Sequence, residues 1–195
     1  RGRFDRWLGR LQHRPAPEPT QPPLTSVPRA ARATTPAVAT EAPQLSEASD
    51  WLSGCSMVFD LELLQPPPRF DPQMFLDYED AELSLRLAAQ GHPARVTRGV
   101  LVEHAVSAIT ARVPRAKYRH ATFSKLYLLH HHATLLALGL NLLYFSLRPL
   151  LLLPKDRAQA QGRWAGLVDY LRWQLRRWRG DRQLRHPDRK STRLN

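Results

Sequence analysis

The chain has 195 residues with 29 Lys and Arg against 17 Asp and Glu, a formal net charge of +12, and 17 unevenly placed prolines, which fits one compact domain with appendages. The charge is uneven as well: +2 over residues 1–50, −2 over 51–116, +4 over 117–154 and +8 over 155–195. An acidic middle argues against nucleic acid as a partner, because a nucleic-acid reader carries its positive charge on the folded surface that does the reading; a basic tail points instead to a membrane or another polyanion.

The first segment, residues 1–50, opens with a stretch whose Phe4, Trp7, Leu8 and Leu11 recur on one side of a helix, with arginines around them, so a short basic amphipathic helix is expected over 1–13. From Arg14 to Pro43 the sequence is Pro, Ala and Thr with almost no large apolar residue, a long loop that cannot bury enough surface to offset its ordering entropy. There is no initiator Met and no signal segment, and the opening reads as mid-sequence, so a fragment is expected. Trp51 to Phe59 is a short apolar run with the length of a buried strand, in which Gly54 suggests close approach of another backbone or a ligand. The lone Cys55 excludes an intrachain disulfide and reads as a small core residue. After the Pro66-Pro67-Pro68 turn, residues 79–90 read as a helix: Leu83, Leu87 and Ala88 share a face, acids crowd the first turn, and Gly91 stands at the left-handed cap. Short strands are expected over 94–97 and 100–103.

Residues 117–154 form a long helical, Leu-rich pattern. Ala133 to Leu147 is uncharged, then Arg148-Pro149 interrupts it; fifteen residues fall short of the roughly 20 a spanning helix needs, so this segment is expected to lie in a membrane interface or to pack on the protein. The run His130-His131-His132 reads as helix surface near headgroups, since consecutive helical residues point about 100° apart and cannot converge on one metal ion. In residues 155–180, Trp164, Leu167, Leu171, Leu175 and Trp178 recur at helical spacing beside Arg172, Arg176, Arg177 and Arg179, the composition of a helix for an anionic membrane surface. Residues 181–195 read as a disordered tail whose end, Lys190 to Asn195, looks like a translated sequencing adaptor.

The chemistry concentrates in Arg69-Phe-Asp-Pro-Gln-Met-Phe-Leu-Asp-Tyr-Glu-Asp-Ala-Glu-Leu-Ser-Leu-Arg-Leu-Ala-Ala-Gln-Gly91, continuing to Val102-Glu103-His104 and Ser107. This stretch resembles the acceptor-side signature of family 2 glycosyltransferases: a Phe-Asp segment, an aromatic-Glu-Asp triplet, an acid-Leu pair, an Arg-Leu helix ending in Gly, and a later His-x-x-Ser. The upstream Trp51-Leu-Ser-Gly-Cys-Ser-Met is similar to the preceding strand in rhamnosyltransferase-like members, so that the likeness spans residues 50–130. It implies an α/β chain, a partial GT-A fold in residues 51–116 followed by C-terminal helices. The implied activity is that of an inverting, metal-dependent enzyme moving a sugar, rhamnose in the nearest pattern, from a nucleoside-diphosphate donor to a polysaccharide or glycolipid acceptor at the cytoplasmic face of the inner membrane.

By the same resemblance Asp80 is the catalytic base, Trp51, Asp77 and Glu79 line or support the acceptor cleft, and His104 contacts the divalent cation, Mg or Mn, or the diphosphate. A carboxylate at a helix start suits the first role, because an acceptor hydroxyl is a poor nucleophile until its proton is taken. The chain departs from the family in having no Asp-x-Asp and no nucleotide-binding half before residue 51, so the resemblance places the donor half upstream and implies that these residues alone are inactive. The plain reading of each residue stands beside this one: dipole-matched surface acids, an ordinary histidine, a core tryptophan, and a non-catalytic membrane-binding module as the whole.

Overall fold

The computed structural model describes residues 2–13, 46–75, 77–97 and 114–180. Over these the chain is mixed α/β and mostly helical, in the order β1 (Gly2–Asp5), β2 (Arg10–His13), β3 (Ser46–Ala48), α1 (Glu79–Ala89), β4 (Arg95–Thr97), α2 (Pro114–His132), α3 (Leu135–Leu152) and α4 (Arg157–Trp178). The strands form two antiparallel pairs, β1 with β2 and β3 with β4. The Pro-rich segment 14–43, the strand expected over 100–103, His104 and the tail after residue 180 lie outside the described residues.

The helix expected over residues 1–13 is instead a β-hairpin. Phe4 and Leu11, seven apart, would share a side of a helix, but with a connection over 6–9 the same spacing sets them directly opposite each other across two strands. Local chemistry decides between the two. Asp5 Oδ1 accepts from Trp7 N at 2.9 Å and Leu8 N at 3.0 Å, and Gly9 takes φ +65°, where a side chain is strained. A Cβ there would also lie 2.6 Å from Leu129 Cδ2. Thr134 N donates to Arg6 O at 3.1 Å and Lys125 Nζ donates to Gly9 O, so the hairpin tip is docked on the α2–α3 junction while Phe4 and Leu11 pack against the core.

The buried strand expected over Trp51–Phe59 does not form either. Trp51 alone makes a bridge, to Gly2, and the residues after Gly54 are mostly exposed, Cys55 and Val58 among them. The backbone of this segment is satisfied by α1 rather than by a ladder: Leu52 N donates to Ser84 Oγ at 3.1 Å and Gly54 N to Asp80 Oδ2 at 2.8 Å. Helix α1 itself matches the expected span. Gly91 at φ +92° ends it, with Gly91 N donating to Ala88 O at 3.1 Å and His92 N to Leu87 O at 2.9 Å.

The core lies between α2 and α4. Phe123, Leu126, Leu128 and Leu129 of α2 are wholly buried against Tyr170 and Trp173 of α4, with Met74 and Ala81 closing the α1 side. Gly162 faces Arg115 and Tyr118, and Gly166 faces Arg119 and Thr122, so the two helices run parallel with their backbones almost touching. A short ion pair, Arg119 Nε to Asp169 Oδ2 at 2.5 Å, lies beside this contact. Three sequence expectations change here. Helix α3 runs through Pro149 to Leu152, because the buried Pro149 only removes the donor to Phe145 O and the helix resumes with Leu153 N on Pro149 O at 3.0 Å. The apolar face expected on residues 155–180 divides: Leu167 joins the core and Trp164 Nε1 donates to Ser146 O at 3.2 Å, whereas Leu171, Leu175 and Trp178 stay exposed. His130, read as free surface, meets α4, its Nδ1 within hydrogen-bond range of Tyr170 Oη at 3.3 Å and Gln174 Nε2 at 3.2 Å.

Candidate active site

The acidic turn before α1 is built on a strained backbone. Asp77 and Tyr78 stand at φ 62° and 68°, two successive non-glycine residues in the left-handed region, and each such residue costs on the order of 1 kcal/mol or more. The surroundings hold them there. The Tyr78 ring packs against the core under Lys125 Nζ, 5.2 Å from its centroid, and Tyr78 O accepts from Glu82 N at 2.9 Å to start the helix. The result aims Asp77, Glu79 and Asp80 close together at one helix start.

Asp80 is fixed from both oxygens: Oδ2 accepts from Gly54 N at 2.8 Å and Oδ1 from Ala81 N at 2.7 Å. Its carbonyl accepts from Ser84 Oγ at 2.8 Å, and the same hydroxyl receives Leu52 N, so residues 52–54 and the Asp80 turn form one unit. The close approach expected at Gly54 is therefore to Asp80. A Cβ at residue 54 would sit 3.4 Å from Asp80 Cβ, an ordinary contact, so space alone does not demand glycine.

Asp77 and Glu79 differ from Asp80 in having a buried oxygen, Oδ2 and Oε2 respectively, with no hydrogen-bond partner among the described residues. Burial pushes the Asp77 carboxyl up, and neighbouring Asp80 adds to this, against the opposing charges of Lys117 and His120. Burial likewise raises Glu79, which its own backbone N–H partly offsets and Asp80 and Asp77 reinforce. Glu82, one turn on, goes the other way: burial would raise it, but His132, with Nε2 3.8 Å from Oε1, and Arg86, whose Nε donates to Oε1 at 2.9 Å, outweigh burial and hold it below the usual range. The acidic turn and the start of α1 thus carry carboxyls in two kinds of environment, one held by protein partners and one with a buried oxygen that no described residue meets.

The structure brings Asp77, Glu79 and Asp80 together, and Trp51 immediately precedes the 52–54 segment that Ser84 and Asp80 hold. The indole covers Gly2, where a Cβ would lie 2.5 Å from Trp51 Nε1, and packs against the core, so Trp51 braces the hairpin. The sequence reading missed Lys117 and His120, which come three apart on α2 and supply the positive charge facing Asp77; His120 also packs on Phe75, ring centroids 5.0 Å apart and tilted by 51°. Their spacing was a visible signal, without anything in the chain to say which element they would face. Among the described residues no group of three or more His, Cys, Asp or Glu could hold a metal ion. No family model, curated protein or solved structure matches this chain.

Proposed function

We propose that this chain is the acceptor-side portion of an inverting glycosyltransferase of the GT-A type, transferring a sugar from a nucleoside-diphosphate donor to a saccharide or glycolipid acceptor, with Asp80 as the base. The observation that carries the reading is a left-handed Asp77-Tyr78 backbone beside two carboxyl groups, Asp77 and Glu79, that each keep one buried oxygen without a hydrogen-bond partner among the described residues, at and next to the aromatic-Glu-Asp triplet. Strain and unmet buried acceptors both cost stability, and a helix start needs neither to be capped.

In this proposal Asp80, held by Gly54 N and Ala81 N, keeps a fixed direction and uses a remaining lone pair to take the proton of the acceptor hydroxyl as that oxygen attacks the anomeric carbon and the bond from this carbon to the donor's diphosphate oxygen breaks, releasing the nucleoside diphosphate. Asp77 and Glu79 accept hydrogen bonds from other hydroxyls of the acceptor, which orients it. Lys117 and His120 keep the acidic turn from repelling itself apart. Donor recognition is supplied by residues outside this chain. The described residues do not make a metal site; the divalent cation belongs to that donor half, with His104 as the ligand this chain contributes.

The reading is tested by the stereochemistry of the product. Incubation of the intact enzyme with nucleoside-diphosphate sugars and acceptor, followed by proton NMR of the new glycosidic linkage, is expected to give the anomer opposite to that of the donor. Retained configuration, or no transfer from any such donor, overturns it.

A further inference from the structure

Helix α3 leaves most of its apolar surface uncovered. Its 18 residues, Leu135–Leu152, have a mean hydropathy of 1.7, yet only 22% of them are buried, whereas the core helix of a soluble domain is mostly buried. The uncovered residues are not scattered: Leu136, Leu140, Leu143, Leu147 and Leu150 repeat at intervals of four and three and make one outward stripe, at 49–65% exposure. The hairpin tip docks against the same helix. Trp7 is 66% exposed beside this helix, where Arg6 O receives Thr134 N and Leu8 O receives Asn141 Nδ2 at 3.4 Å.

The geometry does not suit a span. Helix α4 packs along the middle of α3, putting the Arg163 guanidinium 5.7 Å from the Phe145 ring centroid and Trp164 Nε1 on Ser146 O. A crossing α3 would carry that cation, and the helix bearing it, into the hydrocarbon. A helix lying flat, with its outward stripe in lipid and α2 and α4 on the aqueous side, avoids this.

Charge selects the occupant. Residues 114–180 hold twelve Lys and Arg but only two acids, Asp156 and Asp169, and Asp169 is already engaged by Arg119. The exposed Leu171, Leu175 and Trp178 of α4 stand among Arg172, Arg176 and Arg179 in the same way. A large apolar stripe flanked by Trp and arginine with almost no acid complements an anionic bilayer surface, which takes up apolar groups and attracts cations together.

We infer that the outward stripe of α3, with Trp7 at the hairpin tip, is a membrane-inserting surface that lays the domain flat on an anionic lipid bilayer, and that the α4 arginines supply its electrostatic part. The inference is independent of the catalytic reading, and its test needs no turnover. The full chain is expected to co-sediment with phosphatidylcholine–phosphatidylglycerol vesicles and far less with phosphatidylcholine alone. Replacing Leu136, Leu143 and Leu150 together by Asp should lower partitioning on the order of 100-fold at every salt concentration, while Arg172→Gln, Arg176→Gln and Arg179→Gln remove only the salt-sensitive part. Val58→Asp with Leu61→Asp, at least as exposed as most of the stripe but outside α3, should change nothing. An environment-sensitive dye on Leu140→Cys, in a Cys55→Ser background, should shift to the blue on addition of the anionic vesicles, which reads insertion without relying on the triple variant folding. Undiminished binding by the triple variant, no dye shift, or self-association of the chain that the same three substitutions abolish would each overturn the inference, the last by making a second copy the occupant.

Discussion

Replacing Gly166 by Ala tests the packing that positions everything else. A Cβ at residue 166 would lie 2.3 Å from Arg119 O and 2.8 Å from Thr122 Cβ, and the first of these is backbone that cannot rotate away. Real contacts of this kind begin near 3 Å, so α4 must retreat from α2 by roughly 0.7 Å or more, loosening the Trp173 and Tyr170 packing and the Arg119–Asp169 pair with it. Helix propensity returns up to about 1 kcal/mol for Gly to Ala, while overpacking of a tight core contact costs about 1–3 kcal/mol and disturbing the partly buried Arg119–Asp169 pair adds to it. The net expectation is a loss of about 2 kcal/mol. Gly139 in α3 supplies the control, since a Cβ there meets nothing within 4 Å, and Gly139→Ala should gain about 0.5–1 kcal/mol from propensity alone. Urea unfolding followed by circular dichroism, at equal slope, reads both. Equal stability of the two variants would refute the close α2–α4 contact.

Two further outcomes follow from buried polar groups. Burial lowers the Lys125 ammonium to about 8, so between that value and its unfolded value near 10.5 the unfolded chain binds a proton the folded chain has released, and stability rises with pH across this window. Thermal melts should show a gain on the order of 1–2 kcal/mol from about pH 7.5 to 9.5 that Lys125→Met lacks; an identical slope in both proteins contradicts the assignment. Tyr127 donates its hydroxyl to Asp71 Oδ2 at 2.6 Å and so ties the segment ahead of the acidic turn to α2. Tyr127→Phe should cost about 1.5–3 kcal/mol in urea unfolding, the range for a hydrogen bond to a charged group, and a loss below about 0.5 kcal/mol means that the bond does not hold that segment.

Sequence legibility followed how local the deciding physics is. Helix α1 was readable because its acids, its apolar spacing and Gly91 all act within one element. The hairpin was not, because Phe4 and Leu11 satisfy two periodicities at once and only the Asp5 turn and the docking of Gly9 on Leu129 separate them. The Trp51–Phe59 run failed as a strand for a related reason: its apolar content said buried ladder, whereas α1 offered side-chain acceptors one turn apart, Ser84 and Asp80, to backbone donors two residues apart, Leu52 N and Gly54 N. On α4 the apolar residues were right and their faces were not, because Gly162 and Gly166 draw one side of the helix onto α2 and that partner is invisible to periodicity. At the candidate site the carboxylates were legible, but the left-handed Asp77-Tyr78 pair and the opposing Lys117 and His120 depend on tertiary placement.

The catalytic claim rests on Asp80, and the most direct measurement is the turnover of Asp80→Asn in the intact enzyme with donor affinity measured alongside. The amide keeps the shape and can still receive Gly54 N on its oxygen, but it takes no proton. Turnover should fall by about 100-fold or more with donor binding within about twofold of the unmodified enzyme. Near-normal turnover in that variant would contradict the account.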